Sequence, residues 1–340
     1  PECAGAMMEI FPSIKLTDRI RAFGEFEFNS TIDSGAANPN EHGKVELDQG
    51  WIEYAVNEHL KPRAGVILVP FGRYNLEPFD PVQEFTARPI FAKKVIPTVW
   101  NEVAAGFTGR FSLGGGDGGG WLKDASLEYQ AFVLNGLDNH ISDEEGLRNA
   151  RGAFHRDNNH NKAVVGRVLN RLMPGLEVGV SGYYGSYDST GKKIRGVDVD
   201  IKINHGPFEL LAEAANFDLD PGGRSISPEN SSGIVPPSLR GGYIEGRYRF
   251  WIDWLKETWL GRGFDDPKFT ALIRYEQAAV ANADMGGTKA NRESRLSVGF
   301  NYRPVATVAF KAEYQFNRTQ NEPLVFGNNN GLVLSVTGAF

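Results

Sequence analysis

Charged residues alternate with apolar residues along several stretches of the chain, and they are the side chains best placed to act on another molecule. Lys311 and Glu313, for example, alternate with Phe310, Ala312 and Tyr314. Successive side chains of an extended strand point to opposite faces, so this spacing collects the charges on one face. Charges of both signs on neighbouring strands can pair and can create a field across a water-filled space. The candidate residues of this charged face are Arg19, Arg21, Glu25, Glu27, Lys202, Arg247, Arg249, Arg274, Arg295, Arg303, Lys311 and Glu313.

Catalytic and cofactor-binding motifs are absent from the sequence. It contains no G-x-S-x-G, Walker A or H-E-x-x-H pattern. The single Cys3 cannot form an intrachain disulfide, and without a C-x-x-C-H motif no c-type haem is attached covalently. The histidines fall in predicted loops or turns, where a solvated side chain is commoner than a metal ligand. We therefore predict no enzymatic activity, no metal site and no cofactor.

The elements that position the charges are predicted from apolar residues that recur with a period of two. Such a pattern indicates strands with one apolar and one polar face. The predicted strands are 20–29, 44–56, 63–71, 102–112, 124–136, 163–172, 176–187, 197–204, 208–216, 244–253, 268–276, 296–302, 308–317 and 331–340. A weaker pattern covers 8–16, and a change of parity near Asp48–Gly50 predicts a β-bulge there.

The connections between these strands alternate between short and long. Short turns lie at 57–62, 174–175, 205–207 and 303–305, whereas 30–43, 73–100, 138–161, 217–240, 281–292 and 318–330 are long. Such alternation is typical of outer-membrane barrels, in which turns are periplasmic and loops lie outside. We predict an all-β fold, a transmembrane antiparallel up-and-down β-barrel of about 14–16 strands, for the whole chain as one domain. Residues 1–18 form an N-terminal segment or a first strand.

The C-terminal strand and the bulk composition support the same class. Leu332, Leu334, Val336 and Phe340 share one face, and Phe340 in the last position resembles the assembly signal of outer-membrane barrels. No run of about 18 apolar residues could form a transmembrane helix. The net charge of −6 and the pI of about 5.6 argue against nucleic-acid binding. The alternative is a soluble β-sandwich or propeller with one wet face.

Segment 73–100 is the strongest candidate for a functional loop. A loop longer than about 15 residues in a compact fold is usually functional or disordered, and Pro78, Pro81, Pro89 and Pro97 should stiffen this one. We predict that it folds inward and narrows a pore, with Arg88, Lys93 and Lys94 as cations at the constriction. The alternative is an outer loop whose lysines are only solvated.

Motifs in the first part of the chain resemble those of a known family. Residues 47–75 read LDQGWIEYAVNEHLKPRAGVILVPFGRYN, followed by Arg88-Pro89, VIPTVWNE at 95–102 and LEYQAFVLNGL at 127–137. In these residues the chain resembles the outer-membrane porins grouped with the phosphate-selective porins O and P. The resemblance is firmest over residues 8–137. It implies a passive β-barrel channel, but phosphate selectivity does not carry over, because its arginine ladder and lysine cluster cannot be placed here.

The sequence thus favours a porin of the bacterial outer membrane that passes small hydrophilic solutes or ions, with a slight preference for anions or zwitterions. Expected partners are outer-membrane lipid, the barrel assembly machinery, the solutes themselves and possible further copies of the chain, but no nucleic acid. One alternative is a barrel sleeve around a multihaem cytochrome that carries electrons across the outer membrane. Another is an adhesin that acts through loops 138–161 and 217–240.

Overall fold

The computed structural model describes residues 7–29, 44–77, 82–114, 124–152, 162–228, 230, 232–281, 290–319 and 330–339. Its strands form one antiparallel up-and-down sheet in which each strand from β3 onward pairs with the next strand in the chain, and β1 and β2 both pair with β3. The strands are β1 (Met7–Ile10), β2 (Ser13–Lys15), β3 (Ile20–Asn29), β4 (Lys44–Tyr54), β5 (Lys61–Leu68), β6 (Asn101–Ser112), β7 (Ser126–Asn135), β8 (Lys162–Met173), β9 (Leu176–Ser186), β10 (Lys193–His205), β11 (Phe208–Leu219), β12 (Ser238–Phe250), β13 (Lys268–Ala281), β14 (Ala290–Val305), β15 (Val308–Thr319) and β16 (Gly331–Gly338). Two short helices are α1 (Arg73–Leu76) and α2 (Ile90–Lys94). No helix among the described residues is long and apolar enough to cross a membrane.

The weak strand pattern at 8–16 corresponds to two short strands in one register. Both β1 and β2 pair with β3, and the ladder resumes after the break without a shift, since Ile10 pairs with Phe26 and Ser13 with Phe23. The break falls at Pro12, which lacks a backbone N–H to donate. Its carbonyl still accepts a hydrogen bond from the Gly24 N–H, at 2.9 Å. The predicted all-β, up-and-down architecture is confirmed, with 16 strand segments in the sheet.

Some strand boundaries differ from the sequence prediction. The bulge near Asp48 is confirmed, because Glu25 pairs with Gln49 and Phe26 with Leu47. Strand β14 runs well beyond the predicted 296–302. Residues 251–253, predicted as the end of a strand, instead begin a connection that contains the 3₁₀ turn Asp253–Leu255. The strand prediction is wrong for these residues because aromatic and charged residues also alternate there, although this segment folds against the outside of the sheet instead of extending a strand.

The two faces of the sheet are reversed relative to a soluble protein. Outward-facing apolar residues are exposed, whereas inward-facing charged residues are buried. Leu334 is 67% exposed, but Arg274 and Glu276 are only 1% and 0% exposed. Charged side chains are seldom buried in proteins unless they are paired. An apolar outer wall around a charged interior is the arrangement of a transmembrane β-barrel.

The connections also have two distinct ends. Two-residue turns at 174–175, 206–207 and 306–307 lie at one end of the sheet, which we call the turn end. The connections from β5 to β6, from β7 to β8 and from β11 to β12 begin and end at the other end of the sheet, the loop end. Phe340, the proposed assembly signal, lies outside the described residues.

Adjacent positions on β15 provide a test of the two faces. The Tyr314 side chain lies on the exposed outer face, and Gln315 lies on the inner face, where it donates to Glu313 at 2.5 Å. Tyr314→Lys should destabilise the barrel in vesicles by about 2–4 kcal/mol, because a cation would face hydrocarbon near the middle of the strand. Gln315→Lys should leave stability nearly unchanged. Equal unfolding free energies in urea titrations of the two vesicle-embedded variants would contradict this assignment.

Candidate pore constriction

Residues 69–77 form the base of a long connection that turns back into the barrel. Asn75 fixes this base, because its Nδ2 donates to the carbonyls of Val69 and Trp100 at 2.9 and 3.0 Å. Its Oδ1 accepts from the Trp100 N–H at 2.7 Å. Both ends of the connection are thus tied to one fully buried amide side chain. The sequence motifs that begin and end segment 73–100 therefore meet at Asn75.

The base is held against the inner face of β9–β11 by charged side chains. The Arg73 guanidinium binds Asp200 at 2.9 Å and Glu177 at 2.8 Å. Burial alone would lower the pKa of Arg73, but the surrounding carboxylates raise it above its ordinary value. The backbone N–H of Tyr74 donates to Glu213 at 3.0 Å. These contacts direct the chain toward the lumen instead of away from the barrel.

Residues 82–100, which we call the inward segment, lie on the inner face of β12–β16. Backbone N–H groups of the segment donate to wall carboxylates: Thr86 to Glu313 at 2.7 Å, and Ile90 to Glu276. The Thr86 hydroxyl also lies 2.6 Å from the Ser335 hydroxyl of β16. Hydrogen bonds to charged groups contribute about 1.5–3 kcal/mol each. The backbone of the segment therefore contributes directly to its attachment to the wall.

Backbone carbonyls of the inward segment accept from the same wall. Lys311 donates to the Gln83 carbonyl at 2.6 Å, and Arg274 donates to the Ala87 carbonyl at 2.7 Å. Near them Glu84 binds Arg303 at 3.2 Å. Burial would raise the pKa of Glu84, but Arg303 and Arg247 outweigh this effect and lower it. Wall charges that the sequence predicts to line a pore therefore also bind this segment.

Apolar side chains fill the space between the segment and the loop-end half of the wall. The Phe71 ring lies 4.8 Å from the Phe217 ring and 6.0 Å from the Trp100 ring, and Phe91 lies 6.1 Å from Tyr243. All five side chains are buried. Here the inner wall is apolar, whereas the sequence analysis considers the inner face mainly for its charged residues. The inward segment excludes water from this part of the wall, so apolar residues can face inward.

A second connection, residues 136–152, covers the inward segment from the loop end. The Leu147 N–H donates to the Lys94 carbonyl at 2.9 Å, and the Arg151 guanidinium donates to the Val99 carbonyl. Gly146 makes the approach possible: it has a φ of +61°, and a Cβ there would lie 2.1 Å from the Lys94 carbonyl oxygen. The two connections therefore form one packed body.

The predicted cations Arg88, Lys93 and Lys94 occupy different environments. Lys94 binds Glu293 of β14 at 2.5 Å, so it attaches the segment to the wall. Lys93 is exposed and Arg88 is half-buried. Desolvation inside the barrel, together with repulsion from Arg148 and Arg295, lowers the pKa of Lys93. A constricting role for these three residues stays a prediction.

Two further cations, Arg148 and Arg151, join Arg88 and Lys93 in what we call the cationic group. Burial lowers the pKa of Arg151, and repulsion from Arg148 and Arg88 lowers it further, against the opposing effect of Glu46 and Asp48 on β4. Sequence reasoning missed Arg148 and Arg151. They come from a distant connection that meets the inward segment only through tertiary contacts, and no local pattern marks them.

The other predicted charges are distributed over the rest of the inner wall. Arg21 lies 5.7 Å from the Trp51 ring, Glu25 accepts from Gln49 at 2.6 Å, and Lys202 is half-buried near the turn end. Glu27, Arg247, Arg249 and Arg295 also occupy inward positions. A role in lining the path of a solute stays a prediction for all of them.

Arg19 departs from its predicted place. It precedes β3 in the turn, and its guanidinium lies 3.4 Å from the hydroxyl of Tyr54, an outward-facing residue. The strand alternation that would direct Arg19 inward begins only at Ile20.

A small cavity lies between the base and strands β7 and β8. It has a volume of about 70 Å³ and is lined by Arg73, Glu77, Glu128, Gln130 and Arg167, together with Leu76 and Leu169. No group of three or more His, Cys, Asp or Glu residues that could hold a metal occurs among the described residues. His155 and His160 lie outside them.

No family model matches the chain. It is similar to an uncharacterized protein of Aquifex aeolicus (strain VF5), with 20% identity over 318 residues, 88% of this chain and 66% of that protein. The chain thus spans about two thirds of that relative's length.

Solved structures with a similar fold are outer-membrane proteins. They include OmpF of Salmonella typhi in complex with daunomycin, with a TM-score of 0.61, 14% identity, and coverage of 98% of this chain and 89% of that chain. The outer membrane channel DcaP of Acinetobacter baumannii gives a TM-score of 0.59 at 11% identity, over 99% of this chain and 85% of that chain. An anion-selective porin from Comamonas acidovorans gives 0.50 at 10% identity, over 98% and 86%. At these identities the likeness is one of fold, and the fold is that of the outer-membrane porin barrels.

Two glycines with positive φ provide a matched test of the base. Gly72 has a φ of +78°, and a Cβ there would lie 2.2 Å from Glu213 Oε1 and 2.7 Å from Ile96. Gly191 has a φ of +86° with no heavy atom within 4 Å of the corresponding Cβ. Both Ala variants should be destabilised by backbone strain, more so at Gly72, whose φ of +78° and ψ of 155° are essentially restricted to glycine. Gly72→Ala should in addition displace Glu213 and increase open-channel current noise. Equal unfolding free energies for the two variants would mean that Glu213 does not hold the base in place.

Proposed function

We propose that the chain is a porin of the bacterial outer membrane that allows passive diffusion of small hydrophilic solutes or ions. The observation that carries the proposal is the inward segment, which the wall binds through backbone and side-chain groups alike. A barrel wide enough to hold such a segment and still pass solutes is narrowed where the segment lies. Single-channel conductance of the purified chain in a planar bilayer tests the proposal, and its failure to conduct would refute it.

The charges beside the segment support a preference for small anionic or zwitterionic solutes. Arg88, Lys93, Arg148 and Arg151 repel one another. The opposing charges are Glu46 and Asp48 of β4 and Glu145, which lies 3.9 Å from Arg148. A cationic group facing a smaller acidic group creates a transverse field, and a narrow lumen screens it less than bulk solvent does. An anion would be attracted to the cationic side, and a zwitterion would align with the field.

The contacts of the inward segment favour the porin over a cytochrome sleeve. A sleeve needs a wide lumen to surround a second protein, whereas here residues 82–100 occupy the space beside β12–β16. We also propose that the chain has no enzymatic activity, since OmpF, DcaP and the anion-selective porin share its fold.

We further propose that, among porins, the chain is related to the phosphate-selective porins O and P. This proposal is supported by the base motif, in which Gly72, Arg73 and Asn75 each make a specific contact. In this chain each of these three residue types therefore has a structural role at the spacing of the motif. We propose kinship in this architecture without phosphate selectivity.

Reversal of the exposed lysine tests the constriction. Lys93→Glu should shift the reversal potential toward cations, because it replaces one member of the cationic group with a negative charge. Deletion within 84–96 should raise conductance. Lys256→Glu at the turn end is the control and should change neither quantity. Unchanged conductance and selectivity in both inward-segment variants would place these residues outside the path of ions.

The lowered pKa of Lys93 predicts a pH dependence. The pKa of Lys93 lies below the ordinary lysine value, so Lys93 should lose its proton as the pH rises toward the ordinary value. The channel should then lose part of its preference for anions. Lys93→Arg should keep the preference over the same range, since Arg stays protonated. The measurement is the reversal potential against pH, and identical profiles for wild type and Lys93→Arg would assign the effect to another group.

A further inference from the structure

The connection from 251 to 267 differs from the two-residue turns at the same end of the barrel. Neighbouring turns at 174–175, 206–207 and 306–307 have two residues, whereas this one contains a 3₁₀ turn and folds back against the barrel. The hydroxyl of Tyr302 on β14 donates to the Leu260 carbonyl, and the Trp251 ring stacks on Phe269 with centroids 5.3 Å apart. We call residues 251–267 the wall-covering turn.

The face that this turn covers is the outer face of the barrel. Phe269 pairs with Tyr302 on one side and with Phe250 on the other, all at outward positions of the alternation. Phe269 is nevertheless only 6% exposed, whereas outward-facing Ile273 on the same strand is 54% exposed. The wall-covering turn therefore lies on the wall that faces lipid.

Two tryptophans of the turn point away from the wall. Trp259 is 81% exposed and Trp254 is 73% exposed, more than any other large apolar side chain among the described residues. Backbone hydrogen bonds hold them in an ordered turn: Thr258 N–H donates to the Leu255 carbonyl at 3.0 Å, and Arg262 N–H donates to the Thr258 carbonyl at 2.8 Å. Such internal bonds are required of backbone that lies near lipid.

We propose that the wall-covering turn lies at the headgroup boundary of the lipid leaflet at the turn end, with Trp254 and Trp259 inserted among the lipids. Tryptophan favours this depth because its ring is apolar and its N–H needs a polar partner. Exposed Lys256, Glu257 and Arg262 alternate with the tryptophans, which suits polar headgroups better than hydrocarbon. The inference rests on the proposed membrane location.

The same features favour lipid over a second copy of the chain. The cores of interfaces between permanently associated proteins are depleted in charged residues, whereas here charges of both signs separate the tryptophans. The turn is also continuous with the apolar outer wall, since it rests directly on Phe269 and Tyr302. Its position would fix the depth at which the barrel sits in the membrane.

Quenching by brominated lipid tests the proposal. The full chain is reconstituted in phosphatidylcholine vesicles whose acyl chains carry bromine either near the carbonyl end or near the methyl end. Wild type should be quenched more strongly by the shallow bromines, and Trp254→Phe/Trp259→Phe should lose most of that difference. Trp51→Phe, which changes a buried ring on the inner wall, is the matched control and should retain it.

Three results would overturn the proposal: equal shallow quenching of the double variant and wild type, stronger quenching by the deep bromines, or a change of oligomeric state of the double variant in sedimentation. The last would assign the tryptophans to an interface between copies. Conductance of the same preparations separates this test from the proposed function, because a barrel that is quenched but does not conduct fails only the latter.

Discussion

The interior of this barrel depends on how the backbone of the inward segment is hydrogen-bonded. A peptide chain placed inside a barrel loses water from both its N–H and its C=O groups. Each buried group that finds no hydrogen-bond partner destabilises the fold by about 1–3 kcal/mol. Here side chains of the barrel wall make the hydrogen bonds that water would otherwise make. Glu313 and Glu276 accept from the segment's N–H groups, whereas Lys311 and Arg274 donate to its carbonyls. Charges of both signs on the wall are therefore required by the segment's backbone before any solute is considered.

Apolar packing and ionic contacts contribute differently to the same body. Burial of Phe71, Phe91 and Trp100 against the loop-end half of the wall provides a large but non-directional stabilisation. The ionic contacts fix the register, since Arg73 can satisfy Asp200 and Glu177 together in only one position. Removing one partner of such a buried pair lowers stability by about 3–5 kcal/mol. Displacement of the segment would leave several wall charges without a partner and would therefore be strongly unfavourable.

The sequence predicts the outer face of the barrel better than its interior. Lipid contacts each outward side chain directly, so apolar residues must recur locally with a period of two, and this pattern identifies the strands and even the bulge at Asp48. An inward position has no such uniform solvent. Whether it is charged, like Arg274, or apolar, like Phe217, depends on a segment far away in the chain, and no local pattern encodes that contact. The same reason explains why no local pattern marks Arg148.

The charges inside the barrel therefore fall into two classes: those paired with opposite charges and those held beside like charges. On the covered wall, opposite charges lie together: Arg247 binds Glu209 at 2.7 Å and Glu245 at 2.6 Å, and their fields largely cancel. At the edge of the inward segment, like charges are held together, and Lys93 and Arg151 each feel repulsion from Arg148 and Arg88. Such a group opposes folding, and it persists because the backbone contacts and the buried rings hold both connections in place. The docked segment therefore keeps these like charges close together despite their repulsion, and the proposed preference for anions depends on that arrangement.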